Sequence, residues 1–279
     1  MNSQKHILSH LWAYVITVLG TAIIVVPLYL TVVTAFKSTA EISRNFFSWP
    51  SGLYLGNFKQ ILYESKFLIY LLNSIIVSVV SVAIIAVLSP MVSYSITRNM
   101  AESKWYKLLY YLFIALIFVP SQVIIIPLTL QLTKFGLANT AGLIICYVTF
   151  SLSQAIFLYV GYIKSIPLEL EESAVMDGAN IFQVFFRIIY PLIAPMTATV
   201  VILNFLWAWN DFMMPLMLLN RNPNSWTMPL FIFGFKNQYG FEANLAFTAV
   251  LLSLIPITLI YIFLQRYIVE GLTAGAIKT

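Results

Sequence analysis

Residues 69–95 read IYLLNSIIVSVVSVAIIAVLSPMVSYS and contain no Asp, Glu, Lys or Arg. A helix needs about 20 mostly apolar residues to cross the hydrocarbon core of a bilayer. Lipid offers no hydrogen-bond partners, so a single spanning segment must satisfy its backbone groups internally, which a helix does. The segment therefore predicts a transmembrane helix.

The rest of the chain is also rich in apolar residues and poor in charged ones. The 279 residues are 61% hydrophobic and 9% charged, with a mean hydropathy of +0.90, whereas a soluble domain carries about 25% charged residues. This composition excludes a soluble globular protein. Six stretches are long and apolar enough to span: 11–33, 69–95, 109–132, 141–163, 193–218 and 244–265. The sequence predicts an all-α membrane protein with six transmembrane helices, forming one domain over 1–279.

Residues suited to catalysis or metal binding are scarce. The single cysteine is Cys146, and the two histidines, His6 and His10, lie near the N-terminus. No HExxH motif or Cys/His cluster is present, so we expect no catalytic residues and no metal site. The 15 basic residues are scattered along the chain, which favours a membrane surface over a nucleic-acid partner.

Polar interruptions inside the six stretches are few. Asp211 is the only charged residue within any of them, and we interpret it as an interfacial cap or an ion-pair member rather than a proton site. Seven of the 12 prolines also lie inside the stretches, where each favours a kink or a break. These prolines are Pro27, Pro90, Pro120, Pro127, Pro195, Pro215 and Pro256.

One segment, 164–190, is too polar for lipid and too patterned for a slack loop. Its central part, from position 165, reads SIPLELEESAVMDGANIFQVFFRIIYP. Pro167 fits the first turn of a helix and Gly178 can end it in a left-handed conformation. Asn180, with Gln183 three residues later, is a plausible cap for a second helix. The pattern predicts a helix, a glycine corner and a second short helix.

Four of the ten acidic residues lie within nine positions of this segment. They are Glu169, Glu171, Glu172 and Asp177. Acids in a first helical turn are favoured by the helix dipole, so a solvated helix end without a partner would explain them. A docking surface for another protein is the alternative, and composition alone favours the solvated end.

The segment resembles the EAA loop of ABC-importer permeases, in which E-A-A-x-x-x-G is followed by nine residues and I-x-L-P. Glu172 begins the matching pattern, Gly178 closes its first part, and Ile188 and Pro191 match the end. Ser173 replaces the second residue of the motif, and Tyr190 replaces the leucine.

The resemblance covers nearly the whole chain and narrows to the carbohydrate-uptake, maltose-type permeases, specifically the shorter of the two paired membrane subunits. The matching positions are Phe36-Lys37, Asn73-Ser74, Tyr94, Arg98, residues 136–140 (GLANT), residues 209–212 (WNDF), Pro215, residues 265–267 (QRY) and residues 271–276 (GLTAGA).

This resemblance implies a type I ABC importer transmembrane domain with both termini in the cytoplasm of a bacterial cell. Charge alone barely decides the orientation, since eight of the 15 basic residues fall on the side of the termini. The chain would be a non-catalytic permease of the cytoplasmic membrane that binds no cofactor, with ATP and Mg held by a separate subunit. The implied partners are a companion permease, two ATP-binding subunits, an extracytoplasmic sugar-binding protein and the lipid bilayer.

The resemblance also implies three groups of site residues. The ATPase-coupling residues are Glu171, Glu172, Ala174, Asp177, Gly178 and Ala179. The ATPase-contacting residues of the cytoplasmic tail, 266–279, are Gly271, Leu272, Thr273, Ala274 and Gly275. The expected binding-protein contacts, in the loop 219–241, are Arg221, Asn222 and Trp226. We expect the exposed acids of the first helix to meet polar or basic groups of the ATPase, and Ala174 to allow close approach.

The sequence also indicates which energy source could drive transport. No G-x-x-x-x-G-K-[ST] motif occurs, so the chain has no Walker-type phosphate loop. An ion-coupled carrier typically has intramembrane acids or histidines as relays, and only Asp211 qualifies. An external ATPase is therefore favoured, with an ion-coupled secondary transporter as the alternative. A membrane-embedded enzyme would need a reactive cluster that the spans do not provide.

Overall fold

The computed structural model describes residues 2–237 and 240–274, and within them the side chains of 12–235, 242–263 and 265. The longer helices are α1 Asn2–Ala35, α4 Phe67–Asn99, α5 Lys104–Ile117, α6 Ser121–Lys134, α7 Thr140–Ile163, α11 Ala194–Asn210 and α14 Ala243–Ala274. The shorter ones are α2 Thr39–Arg44, α3 Gly56–Lys59, α8 Glu169–Met176, α9 Ile181–Val184, α10 Tyr190–Leu192, α12 Met213–Leu219 and α13 Met228–Phe233. The two strands described, β1 Lys236–Asn237 and β2 Gly240–Phe241, form one antiparallel pair.

Four helical stretches are individually long and apolar enough to cross a membrane: Trp12–Ala35, Phe67–Asn99, Thr140–Ile163 and Ala243–Phe263. They correspond to the first, second, fourth and sixth predicted spans. The other two spans are bent helix pairs, so six spans result when each pair counts as one. The predicted all-α membrane class is confirmed.

The third span, predicted over 109–132, is broken at Pro120, one of the seven prolines for which the sequence predicted a kink or a break. Helix α5 ends at Ile117, α6 begins at Ser121, and the two lie at 101° to each other. Pro120 stands between them with an extended backbone. Its ring removes a backbone donor and disfavours helical geometry in the residue before it, which explains the break.

The fifth span, predicted over 193–218, is also divided. The stretch Ile181–Leu192, which precedes this span, meets α11 at 73°. Within the span, α11 ends at Asn210 before α12 begins. At this second break Asp211 accepts hydrogen bonds from the backbone N–H groups of Met213 and Met214, at 3.1 and 3.3 Å. Asp211 also accepts one from the Tyr147 hydroxyl at 2.9 Å. Of the two interpretations of Asp211, the helix cap is therefore correct.

The chain divides into two compact units. In the unit formed by Ile69–Leu230 and Pro256–Thr279, α7 lies at the centre of the packing. Its buried Leu143 and Tyr147 belong to one apolar cluster, and its buried Ala155, Tyr159 and Ile163 belong to another. The second cluster also contains residues of the predicted loop 164–190, so it fixes that loop against the spanning helices.

The other unit, Met1–Leu68 with Phe231–Ile255, is organised around a buried lysine. Lys37 is fully buried, and its ammonium donates to the carbonyls of Asn45 and Phe46 and to the Ser48 hydroxyl, each at 3.2 Å. In the same unit the backbone N–H of Ser51 donates to Glu41 at 2.5 Å and lowers the pKa of that carboxyl. These bonds hold the segment after α1 in a defined conformation.

Candidate coupling site

The first helix of the predicted loop is α8, and it begins soon after Pro167. Glu169, Glu171 and Glu172 all lie in its first turn, where the partial positive charge of the helix terminus stabilises carboxylates. No side chain caps this terminus. The acids therefore provide the favourable electrostatics that a cap would otherwise supply.

A left-handed glycine ends α8, as the sequence predicted. Gly178 has a φ of +86°, which costs a residue with a Cβ roughly 1–2 kcal/mol. The N–H of Gly178 donates to Val175 O and the N–H of Ala179 donates to Ala174 O, both at 2.9 Å. This is a Schellman motif. Ala174 and Ala179 pack together against the apolar cluster below them.

The second helix is α9, and its start is also as predicted. The Asn180 side chain accepts the Gln183 backbone N–H at 3.0 Å, and the Gln183 side chain accepts the Asn180 backbone N–H at 2.8 Å. This reciprocal pair is a capping box. A π-helical turn, Phe185–Ile189, follows α9. The predicted helix, glycine corner and second helix are all present.

The position of Glu171 differs from the expectation that the acids of α8 are exposed. Glu171 is 6% exposed, and its carboxylate accepts hydrogen bonds from Tyr94 Oη at 2.6 Å and Arg98 Nε at 2.7 Å. Arg98 Nη2 lies 2.5 Å from Glu171 Oε1, the oxygen that also accepts the hydrogen bond from Arg98 Nε. The expected exposure was wrong for Glu171 because its position on α8 shares a face with Ala174, three residues later, and that face is turned inward.

The Arg98–Glu171 pair connects α8 to the end of α4. Arg98 also donates to the Ile166 carbonyl at 3.3 Å, so one guanidinium holds both α8 and the chain entering it. A buried ion pair contributes little net stability, but removing one partner leaves an uncompensated charge and is costly. The contact therefore determines the position of α8 more than it determines the overall stability.

Tyr190 replaces the leucine of the EAA pattern, and its hydroxyl makes a hydrogen bond that leucine could not make. Tyr190 Oη donates to the Ala86 carbonyl at 3.3 Å, and its ring lies 5.9 Å from that of Phe185. The ring occupies an apolar position while its hydroxyl bonds to α4. The departure from the pattern thus adds a second link between the loop and that helix.

Comparison with known proteins places this geometry in a family. The model of the family described as "Binding-protein-dependent transport system inner membrane component" matches residues 91–273. The chain belongs to this family. It is 42% identical to the multiple sugar-binding transport system permease protein MsmG of Streptococcus mutans, over 97% of this chain and 98% of that protein. It is 34% identical to the probable starch degradation products transport system permease protein AmyC of Thermoanaerobacterium thermosulfurigenes, over 96% of this chain and 98% of that protein.

A solved structure shares the fold. The chain is similar to a chain of a bacterial ABC transporter involved in the import of the acidic polysaccharide alginate, with a TM-score of 0.78 and 19% identity. The match covers 94% of this chain and 96% of the other. The predicted type I ABC importer transmembrane fold is confirmed, and the protein is a membrane-embedded permease subunit.

The surface of the permease around the glycine corner is both acidic and apolar. Glu172 and Asp177 are exposed, as the sequence predicted. Large apolar side chains of the same segment are also exposed: Leu168, Leu170, Val175, Met176, Ile181 and Phe182. The sequence had not indicated a role for these six. We call the exposed residues of 168–182 the coupling face.

The expected binding-protein contacts lie in different environments. Arg221 and Asn222 are exposed, and Asn222 caps the short helix after it by accepting the Asn224 backbone N–H at 3.2 Å. Trp226 is partly buried against the apolar cluster around Tyr147. The Asn73 side chain at the start of α4 donates to Asn224 O and Trp226 O, at 2.8 and 2.9 Å. Of the three expected contacts, Trp226 therefore anchors the loop, whereas Arg221 and Asn222 remain exposed.

The expected tail contacts lie at the limit of what the structure describes. The backbone of 271–274, which includes Gly271, Leu272, Thr273 and Ala274, continues α14. Gly275 and the four residues after it lie outside the described residues. Within the described part of the chain, no group of three His, Cys, Asp or Glu residues could hold a metal ion.

The partner of Glu171 was not predicted from the sequence. Tyr94 and Arg98 had been named only as positions typical of the family, and Glu171 as one acid among four and as an expected ATPase-coupling residue. A partial signal was available, because Arg98 follows the uncharged stretch 69–95 by only three residues. A cation so close to an apolar span is favoured by a nearby carboxylate.

We predict that Glu171→Gln destabilises the assembled transporter while Glu102→Gln, at an exposed residue outside the coupling face, does not. The first change removes an ionic partner from Arg98, and hydrogen bonds to charged groups contribute about 1.5–3 kcal/mol. The second alters an exposed residue, for which changes stay within about 0.5 kcal/mol. Thermal unfolding of the purified complex measures both. Equal melting temperatures for the two variants would contradict the assignment of Glu171 as the anchor.

A second prediction concerns the corner. Gly178→Val should leave the protein inserted but abolish transport, because a β-branched residue is strongly disfavoured at positive φ. Gly178→Asn should retain part of the activity, since Asn tolerates this region. Gly52→Val is the matched control, because Gly52 is exposed, has no atoms near its missing Cβ and is not left-handed. Full transport by Gly178→Val would show that the corner is not needed.

Proposed function

We propose that this permease is the shorter of two paired membrane subunits in an ATP-driven importer of sugars, and that the coupling face receives movement from the ATPase. The names of the two curated relatives support sugar as the cargo. The single observation that carries the coupling role is the arrangement of α8. Its outer side carries exposed acids and apolar side chains, while its inner side is held to α4 by Glu171.

The coupling face has the composition of a docking surface. Met176 is 87% exposed and Phe182 is 64% exposed, on the same segment as the exposed carboxylates of Glu172 and Asp177. Exposed apolar residues rimmed by polar groups mark interaction sites in soluble surroundings. The partner that fits is a soluble subunit with an apolar cleft bordered by polar or basic groups, as the family's ATPases are expected to have.

Movement of that partner would be transmitted through the buried side-chain contacts between α8 and α4. Glu171 joins α8 to Arg98 at the end of α4, and α4 has 33 residues, about 50 Å of helix at 1.5 Å per residue. A shift of α8 would therefore displace the end of a long spanning helix. Rigid-body movements of this kind are a common form of conformational switching.

ATP and its Mg ion would be bound by the partner subunits. The permease has no Walker-type phosphate loop in its sequence, and the coupling face carries acids, which repel phosphate. We propose two ATP-binding subunits, one for this chain and one for the companion permease. Of the tail, 266–279, the segment 271–275 would supply a further contact to them.

The orientation follows from this assignment. The segment 164–190 would lie in the bacterial cytoplasm, together with both termini, and the loop 219–241 would lie outside the cytoplasmic membrane. There Arg221 and Asn222 are accessible to an extracytoplasmic sugar-binding protein. Trp226 would support these contacts by fixing the loop rather than by touching the partner.

Reconstitution tests the energy source. We predict that liposomes containing the complete complex accumulate sugar only with ATP on the side of the coupling face and the binding protein on the other side. The physical reason is the absence of a phosphate loop and of a titratable relay in the spans, in which Asp211 serves as a helix cap. Radiolabelled sugar trapped in the vesicles is the readout. Accumulation driven by an ion gradient without ATP would favour the secondary carrier.

A charge reversal tests the docking surface. We predict that Glu172→Lys weakens retention of the ATP-binding subunits and lowers stimulated ATP hydrolysis severalfold. Removing an exposed charge alters an interaction worth only about 0.2–1 kcal/mol, so reversal is the stronger probe. Glu102→Lys, the same change at an exposed residue of another loop, is the control. Copurification and hydrolysis unchanged in Glu172→Lys would refute the docking role.

A further inference from the structure

A cavity of about 610 Å³ lies among the spanning helices, at the break of the third span. Its walls come from the end of α5, the Phe118–Pro120 break, the middle of α7 and the middle of α11. Ligand sites in proteins commonly measure about 300–1,000 Å³. The break between α5 and α6 therefore opens a space large enough for a small ligand.

The cavity contains polar side chains at a depth where they are unusual. Its polar lining residues are Ser121, Ser151, Ser153, Gln154 and Asn204. Gln154 is exposed in the middle of α7, within a span of mean hydropathy 1.9. An amide facing hydrocarbon would lose its hydrogen bonds to water, which costs several kcal/mol on apolar transfer scales, about 4–8. Gln154 therefore faces something other than lipid.

Two of these residues retain hydrogen-bonding capacity. Ser151 is 4% exposed, and its buried hydroxyl has no hydrogen-bond partner in the structure. Asn204 is 5% exposed and donates to the Val200 carbonyl of its own helix at 2.8 Å. An amide side chain has two donor hydrogens and one acceptor oxygen. A ligand that both donates and accepts would satisfy the Asn204 amide, whereas the Ser151 hydroxyl is covered by the cavity wall.

Aromatic rings complete the lining. Phe118, Phe150, Phe157 and Trp207 all border the cavity. Trp207 packs edge-to-face on Tyr147 with ring centroids 5.0 Å apart, and Tyr147 is held by its hydrogen bond to Asp211. Trp207 is thus a supported flat surface beside the polar groups.

No charged residue lines the cavity among the described side chains. An uncharged cavity with amides, hydroxyls and aromatic rings matches a neutral polyhydroxylated molecule, since vicinal hydroxyls donate and accept while the C–H face of a sugar ring packs on an aromatic ring. A charged ligand would find no partner of opposite sign there.

We infer that this cavity is a sugar-binding subsite contributed by this chain itself, with Gln154 and Asn204 as the polar contacts and Trp207 as the stacking surface. The inference rests on the proposed function, because the cargo is taken to be a sugar. The other possible occupants are the companion permease and lipid.

Cysteine labelling distinguishes these occupants. The only native cysteine of the chain, buried Cys146, is first replaced by Ala, and Gln154→Cys is then introduced. The complete complex in liposomes is treated with a membrane-impermeant methanethiosulfonate, and the modification of this chain is measured by mass spectrometry. Ile145→Cys is the matched control, because nine residues on a helix make two and a half turns and place it on the opposite face of α7.

We expect Gln154→Cys to react, Ile145→Cys to stay unmodified, and the reaction to slow severalfold during turnover with sugar. The probes are maltose, maltotriose, melibiose and raffinose, and the protection assay uses those that the Cys146→Ala parent accumulates. A site that does not react is covered by lipid or by the companion. A site that reacts without protection is aqueous but binds no sugar. Either result overturns the inference.

Transport by non-cysteine variants gives an independent measurement. Gln154→Leu should lower sugar uptake at least about fivefold, the equivalent of one lost hydrogen bond of about 1 kcal/mol, with ATPase retention unchanged. Gln131→Leu, the same change at an exposed residue of α6 outside the cavity, should have no effect. Wild-type complex without ATP-dependent uptake would count against the proposed function, whereas normal uptake by Gln154→Leu would count against the subsite alone.

Discussion

The buried contact between Glu171 and Arg98 is the constraint on which the organisation of this permease depends. Lipid offers no hydrophobic driving force between spanning helices, so van der Waals packing and a few polar contacts hold them together. The ion pair, with the Tyr94 hydroxyl as a third member, fixes one point of the segment 164–190 on one point of α4. Because both partners are mostly buried, this register cannot change without exposing an unpaired charge to an apolar environment.

That constraint explains the division of labour within a single eight-residue helix. The inward side of α8 is structural, and its outward side is left free to meet a partner. Only about 100° of rotation separates Glu171 from Glu172, yet the first is an anchor and the second is an exposed carboxylate. The glycine corner preserves this difference, because it ends α8 and turns the chain. The outward residues of α8 therefore stay close to the point at which Glu171 anchors the helix.

The sequence predicted those features that depend on local chemistry. Hydropathy located six spans, Gly178 marked the corner, and Asn180 with Gln183 marked the second helix start. The inward turn of Glu171 could not be read in this way, because its partner lies 73 residues earlier and the three glutamates of α8 look alike in sequence. The break of the third span was predicted only as one of seven proline positions. Pro27, Pro90, Pro127 and Pro256 lie inside continuous helices, so which proline divides its span depends on tertiary packing. The π-helical turn after α9 and the convergence of Ser151, Gln154 and Asn204 on one cavity likewise depend on tertiary packing.

The near absence of charge from the spans has an electrical consequence. Moving one elementary charge across a membrane potential of 100 mV involves about 2.3 kcal/mol, and the six predicted spans contain a single charged residue, Asp211. That residue is fixed at a helix break by Tyr147 and two backbone N–H groups. Rearrangement of these helices therefore carries almost no gating charge of its own, and the resting potential of the cell neither drives nor opposes the movement of this subunit.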